Sequence, residues 1–277
     1  MRVIFLGTAS GAGKTTVTAL YCRYLSKKGI AVSPFKAFNL SLNSFVTKEG
    51  CEIGMGQAFQ AWVSGVEPSG DMNPVLLKPS RDGVMQLVVD GKAQSDVSAD
   101  RPMDSKAVLK NACEAFDRLS KRYDAVVCEG SGSPVELNLM DRDVANTGLM
   151  RERRIPAILV GDIGRGGVFA ALYGTWLLMP DDVRPLLKGF IINRFRGDPT
   201  ILKEAVERIS DMTGMRFLGI IPHMDLKFPE EDSLSDMGGK LEGPTVMEAF
   251  ISNADSLLET AEAYGLDMKA IEDISSS

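Results

Sequence analysis

The chain has 277 residues, 44% of them hydrophobic and 25% charged, with a net charge of −6. This is ordinary globular composition, enough to bury a core without disulfide or metal staples. It lacks the basic balance that nucleic acid demands, and no apolar run approaches the roughly 18 residues of a membrane span, so a cytoplasmic protein is expected, working without nucleic acid or membrane. The cysteines at 22, 51, 113 and 128 form no C-x-x-C pair, and the single histidine, His223, completes no zinc spacing with them. They read as free, buried thiols of a reducing compartment. The opening MRVIFLGTASG turns to glycine too soon for a signal peptide.

In chain order, short apolar runs alternate with amphipathic stretches. Arg2–Leu6 predicts a buried strand, followed at once by a glycine-rich turn. Val17, Leu20, Tyr21, Tyr24 and Leu25 at helical spacing predict a helix over 15–28, stopped by Gly29. A strand over 30–36 and a short helix over 56–65 follow, then a hairpin arm at Met85–Val89. A helix is expected over 104–122 with Asp104 as N-cap, and another over 140–151. Strands are expected at 125–128, 157–160, 189–192 and 217–221, with helices over 166–178 and 200–213 between them. After Pro229 the segment PEEDSLSDMGGKLEGP reads as a linker, and 245–264 as an acidic amphipathic helix capping the sheet.

Continuous apolar strands separated by helices indicate an α/β fold, doubly wound around a mostly parallel sheet. The expected division is one α/β unit over 1–234, with a linker and amphipathic helix over 235–277.

The first strand-to-helix turn, GTASGAGKTT, carries the chemistry of a phosphate loop. Glycines let backbone N–H groups converge on phosphate oxygens, and the following helix aims its positive end at them. Thr8, Ser10, Gly11, Ala12, Gly13, Lys14, Thr15 and Thr16 are the expected nucleotide contacts. Lys14 supplies charge to the β/γ-phosphates and Thr15 a hydroxyl to Mg²⁺. The strict G-x-x-x-x-G-K-[ST] pattern fails at one place, where Thr8 replaces the first glycine and Gly7 precedes it.

In DAVVCEGSGSP a buried strand ends on Glu129, suited to hold the metal. ILVGDIGRGG repeats the design with Asp162, and Arg165 follows as a fork for phosphate or carboxylate. GFIINRF ends on Asn193 and Arg194 and LGIIPHM on Pro222, where an amide can read an adenine edge. His223 beside Pro222 reads as structural. The stretch PFKAFNLSLNSF places Asn39, Ser41 and Asn43 where a loop would ordinarily carry charge, glycine or proline.

The loop form G-T-x-S/T-x-x-G-K-T resembles dethiobiotin synthetase and related amide synthetases. Ala9 stands where the partitioning ATPases of the same superfamily carry a second lysine. FKAFNLSLNSFVT, EIGMGQAFQA, DMNPVLLKPS, CEGSGSPVELNLMDRDVAN, VGDIGRGGVFAALYGT, KGFIINRFRGD and PEEDSL, in this order, resemble the synthetase domain of the cobyric acid synthase family. That resemblance implies a P-loop ligase using ATP and Mg²⁺ to amidate corrinoid side-chain carboxylates through an acyl phosphate, with glutamine-derived ammonia. It implies Lys14, Thr15 and Glu129 at phosphate and metal, and Asn39, Ser41, Asn43 and Asp162 at the acceptor and its acyl phosphate.

Two departures stand out. Phe38 occupies the place where the family pattern K-A-Q-N has glutamine, and the residues after Leu234 contain neither cysteine nor histidine for a glutaminase. The expected partners are therefore a corrinoid or related tetrapyrrole carboxylate, a separate glutaminase subunit or free ammonia, and a second copy of the chain in a homodimer. Two alternatives stay open: the same chemistry on another tetrapyrrole or carboxylic acid, and a non-catalytic, partitioning-type regulatory ATPase.

Overall fold

The structure is a computed structural model, and it describes residues 1–41, 43–80, 84–98, 100–224 and 246–277. Its strands are β1 (Arg2–Gly7), β2 (Val32–Phe35), β3 (Asn39–Leu40), β4 (Ser44–Val46), β5 (Glu52–Gly54), β6 (Val75–Pro79), β7 (Met85–Val89), β8 (Lys92–Val97), β9 (Ala125–Glu129), β10 (Ala157–Asp162), β11 (Leu187–Phe195) and β12 (Arg216–Pro222). The helices are α1 (Lys14–Lys27), α2 (Met55–Val63), α3 (Ser105–Arg122), α4 (Thr147–Arg153), α5 (Val168–Leu178), α6 (Lys203–Thr213), α7 (Val246–Ala263) and α8 (Met268–Ser275).

Six strands form one parallel sheet in the order β12-β11-β10-β1-β9-β2. Successive residues of β1 feed opposite faces. Val3 and Phe5 join a core with Leu20 of α1, Phe250 of α7 and Ile271 of α8, whereas Ile4 and Leu6 join one with Phe116 of α3, Leu149 of α4 and Leu172 of α5. Burial on both faces is why these strands read as unbroken apolar runs, and the doubly wound parallel architecture is as expected. Because all six strands run the same way, the phosphate loop, Glu129, Asp162, Asn193 and Pro222 share the sheet's carboxyl edge.

Beside that edge lies a four-stranded sheet, β3-β6-β7-β8, and a β4–β5 hairpin. The expected arm Met85–Val89 is β7, paired antiparallel with both β6 and β8. Asp104 caps α3 as expected, its carboxylate accepting from the N–H groups of Lys106 and Ala107 at 3.1 Å.

The structure corrects four expectations. The helix over 140–151 is broken into a short 3₁₀ turn, Met140–Arg142, and α4. The Asp143 carboxylate captures Asn146 N, Thr147 N and Thr147 Oγ1, and so turns the chain before the helix starts. Likewise 200–213 begins as a 3₁₀ turn, Pro199–Leu202. The C-terminal helix is followed by a second one, α8, capped by Asp267 on Ala270 N. Finally, Cys22, Cys113 and Cys128 are free and buried, but Cys51 is partly exposed. The expected linker, 229–244, lies outside the described residues.

The C-terminal helices pack on the sheet rather than beyond it. Phe250 of α7 lies against Phe59 of α2 with ring centroids 4.3 Å apart, and Asp255 receives a two-pronged ion pair from Arg23 of α1. Where β12 passes under them, Gly219 has φ +120°, and a Cβ there would lie 2.3 Å from Gly265 O. No helix among the described residues is long and apolar enough to cross a membrane.

Candidate active site

The phosphate loop runs from Gly7 at the end of β1 into α1, whose N-cap is Gly13 at φ +102°. A Cβ on Gly13 would meet Asn193 Nδ2 at 2.0 Å, because the Asn193 amide is driven against the loop and donates to Ala12 O at 2.9 Å. The irregular position of the first glycine now has a reason. A Cβ on Gly7 would meet Lys14 Nζ and Ala9 O at 2.9 Å each, whereas Thr8 keeps a negative φ that any residue adopts. Ser10 and Gly11 are exposed on the rim, while Ala12, Lys14 and Thr16 are buried.

Lys14 curls back over the loop and donates to Ala9 O (3.2 Å) and Gly132 O (2.9 Å). Gly132 is fixed in turn by Asn146, which grips both backbone groups of Ser131, accepting from its N–H at 3.0 Å and donating to its carbonyl at 2.8 Å. The Asp143 carboxylate orients Asn146 from below. Burial, only partly offset by hydrogen bonds from Thr147 and Asn146, pushes that carboxyl above the usual range.

Glu129 ends β9 fully buried, and three side chains converge on it. Thr15 Oγ1 and Lys36 Nζ both donate to its Oε1 at 2.9 Å, and Gln60 Nε2 donates to Oε2 at 2.6 Å. Burial alone would raise the carboxyl. The Lys36 charge and hydrogen bond, the Gln60 amide and the Lys14 charge outweigh it and hold the group below the usual range, as an anion. Lys36 is itself almost wholly buried, where β2 hands over to the polar loop.

These residues suit a divalent cation of the P-loop kind. One hydroxyl and one ionised carboxylate lie side by side at the phosphate loop, and no group of three His, Cys, Asp or Glu gathers among the described residues to cage a metal. Such a donor pair fits Mg²⁺ that takes most of its other oxygens from phosphates and water. Thr15 and Glu129 would hold it.

The polar loop is tied through Asn39 to α2, the helix that carries Gln60. Asn39 is buried in β3 and donates to Gln57 Oε1 of α2 at 3.2 Å. Ser41 is buried with its hydroxyl donating to Asn43 O, whereas Asn43 is exposed. Phe38 is half-buried and packs on the core beneath the loop.

Asp162 and Arg194 meet on neighbouring strand ends. Arg194 Nη1 lies 2.8 Å from Asp162 Oδ2, and Asp162 Oδ1 accepts from Gly164 N at 2.7 Å. Arg194 takes a left-handed φ of +61°, unusual for a side chain with a Cβ, and its N–H donates to Asn193 Oδ1. Both polar atoms of the Asn193 amide thus engage backbone in this arrangement. Arg165 and His223 are exposed and Pro222 is buried at the rim. Sequence reasoning missed Lys36, Gln57, Gln60 and Asn146. A lysine buried at a strand end was the one legible signal, since the amides look like an ordinary helix surface.

Residues 3–233 match the family model of the CobQ/CobB/MinD/ParA nucleotide binding domain. The chain belongs to this family. Curated relatives of this nucleotide-binding domain include probable cobyric acid synthases from Methanoculleus marisnigri (50% identical, 85% of this chain and 48% of that protein), Methanosarcina acetivorans (51%, covering 84% and 48%) and Archaeoglobus fulgidus (50%, covering 83% and 50%). The chain spans about half the length of these relatives. Among solved structures, chloroplast FtsY from Physcomitrella patens aligns over 91% of this chain and 64% of its own at 16% identity, with a TM-score of 0.46.

Proposed function

We propose that this chain is an ATP-dependent amide synthetase that activates a side-chain carboxylate of a corrinoid, cobyrinic acid a,c-diamide, for attack by ammonia. The observation that carries this reading is the junction at Glu129. There the phosphate loop (Thr15), the start of the polar loop (Lys36) and α2 (Gln60) meet on one ionised carboxylate. Relatives half-identical to the chain and named probable cobyric acid synthase supply the acceptor class.

A carboxylate resists ammonia until one oxygen becomes a leaving group. An acceptor oxygen attacks the γ-phosphorus and ADP departs, giving an acyl phosphate; ammonia then attacks the acyl carbon and inorganic phosphate departs. The bound cation would neutralise charge building on the phosphate oxygens. Lys14, curled back over the loop, meets the β/γ-phosphates. Asn39, Ser41 and Asn43 address the acceptor with amide and hydroxyl groups, which orient a carboxylate without binding it so tightly that the ground state is favoured. Asp162, fixed by Arg194, faces the same edge, and Asn193, Arg194 and Pro222 border the nucleotide. Ammonia comes from solution or from a separate glutaminase subunit.

The test is direct. Purified protein with ATP, magnesium, ammonium chloride and cobyrinic acid a,c-diamide should release ADP and give one hydroxyl-to-amine mass change per amide formed. ADP without such products, or neither, would sink this acceptor. Phe38 beneath the polar loop favours one second reading, the same chemistry on a different acid.

A further inference from the structure

Gln57 and Gln60 lie three residues apart on α2, both fully buried, and each keeps one polar atom without a partner among the described residues. The orphan at Gln60 is its Oε1. The amide cannot be turned round to relieve it. Its Nε2 already donates to two acceptors, Glu129 Oε2 at 2.6 Å and Thr15 O at 3.3 Å, and a flipped amide would press oxygen on both. A hydrogen-bond acceptor is therefore held, desolvated and unmet, beside the hydroxyl-and-carboxylate pair of Thr15 and Glu129. Leaving such a group unmet is costly, and a methionine of similar size would fill the space without the cost.

What would meet it is a donor that arrives with the ligands. A divalent cation of magnesium's size gives up its hydration shell reluctantly, and the waters it keeps are polarised, strong donors. Resting on the ATP–magnesium reading above, we propose that Gln60 is an outer-sphere residue of the cation site: Oε1 accepts a hydrogen bond from a metal-bound water while Nε2 aims Glu129. The neighbouring amide differs in kind. Gln57 Oε1 accepts from Asn39, and its orphan is a donor, Nε2, so it offers a metal-bound water nothing.

The test reads binding rather than turnover. The dissociation constant of N-methylanthraniloyl-ATP is measured with excess EDTA and with saturating magnesium chloride, and the ratio of the two is the coupling between cation and nucleotide. Gln60→Met should lower that ratio about tenfold, the usual effect of losing a residue that orients a metal's ligands. Its EDTA value should stay within about twofold of wild type. Gln57→Met should leave the ratio unchanged. Gln60→Asn, which keeps the amide but draws it back by one methylene, should also lower the ratio, and this variant carries the test if the methionine protein does not fold. Equal weakening with and without magnesium would mean Gln60 only packs, and an unchanged ratio in Gln60→Met or in Gln60→Asn would equally overturn the proposal. A wild-type ratio of one would instead remove the ATP–magnesium reading beneath it.

Discussion

Lys36 Nζ lies 2.9 Å from Glu129 Oε1, with both side chains sealed from solvent. Breaking such a pair from one side leaves a bare buried charge, so Lys36→Met should cost about 3–5 kcal/mol in urea unfolding at neutral pH. The pH dependence gives the sign. In the wild type Glu129 titrates below its unfolded value, so its contribution is complete above that unfolded value and is lost as pH falls through the lower folded one. In Lys36→Met burial dominates and the order reverses, making the variant relatively more stable in acid. Adding Glu129→Gln should recover much of the loss, and a double variant no better than the single would refute the pairing argument.

Asn146 acts on Lys14 through Ser131 and Gly132. Asn146→Ala should remove about 2–3 kcal/mol of stability, because Ser131 loses both backbone partners. It should also weaken nucleotide binding about tenfold, as the carbonyl that places Lys14 drifts. Calorimetric titration checks the second effect; unchanged affinity in a destabilised protein would confine Asn146 to packing.

Two glycines separate site from scaffold. Gly13→Ala forces a Cβ into the Asn193 amide and should abolish nucleotide binding. Gly219→Ala drives a Cβ at Gly265 O and also strains φ +120°, so it should cost about 1–3 kcal/mol or more. Binding should survive in the second variant. A loss of nucleotide affinity there would show that the C-terminal helices bear on the phosphate loop.

Phe38→Gln restores the amide that the resemblance expects at this place. If Phe38 selects the acceptor, the ratio of kcat/KM between two candidate acids should move about tenfold, roughly 1.4 kcal/mol of discrimination. ATP affinity should not change. An unmoved ratio would reduce Phe38 to a packing residue.

The parallel sheet was legible because its strands are buried on both faces, so RVIFL, AVVC and AILV carry no polar interruption. The carboxylates at strand ends followed from the same pattern. Of the small sheet only β7 was legible, and the β4–β5 hairpin was not. β3 has two residues and β4 and β5 three each, too short for any period, and β8 reads KAQSDV, mostly exposed. The amides were hidden for a different reason. Gln57 and Gln60 share α2 with Ala58, Phe59 and Ala61, and only the tertiary position of Glu129 and Asn39 shows that the polar face is the inward one. Asp143 misled in a third way, since a helical pattern over 140–151 does not reveal a side chain that hydrogen-bonds its own backbone.

The burial of three of the four thiols gives the molecule a built-in labelling handle. Desolvation pushes Cys22 up to about 12, Cys128 well above its ordinary value and Cys113 upward too, and all three are shut away from reagent. Cys51, partly exposed in the turn between β4 and β5, is the one a maleimide dye can reach. A single fluorophore can therefore be placed beside the β4–β5 hairpin of the wild-type chain with no engineered cysteine. Its emission would report what happens there as nucleotide and acid are added in either order.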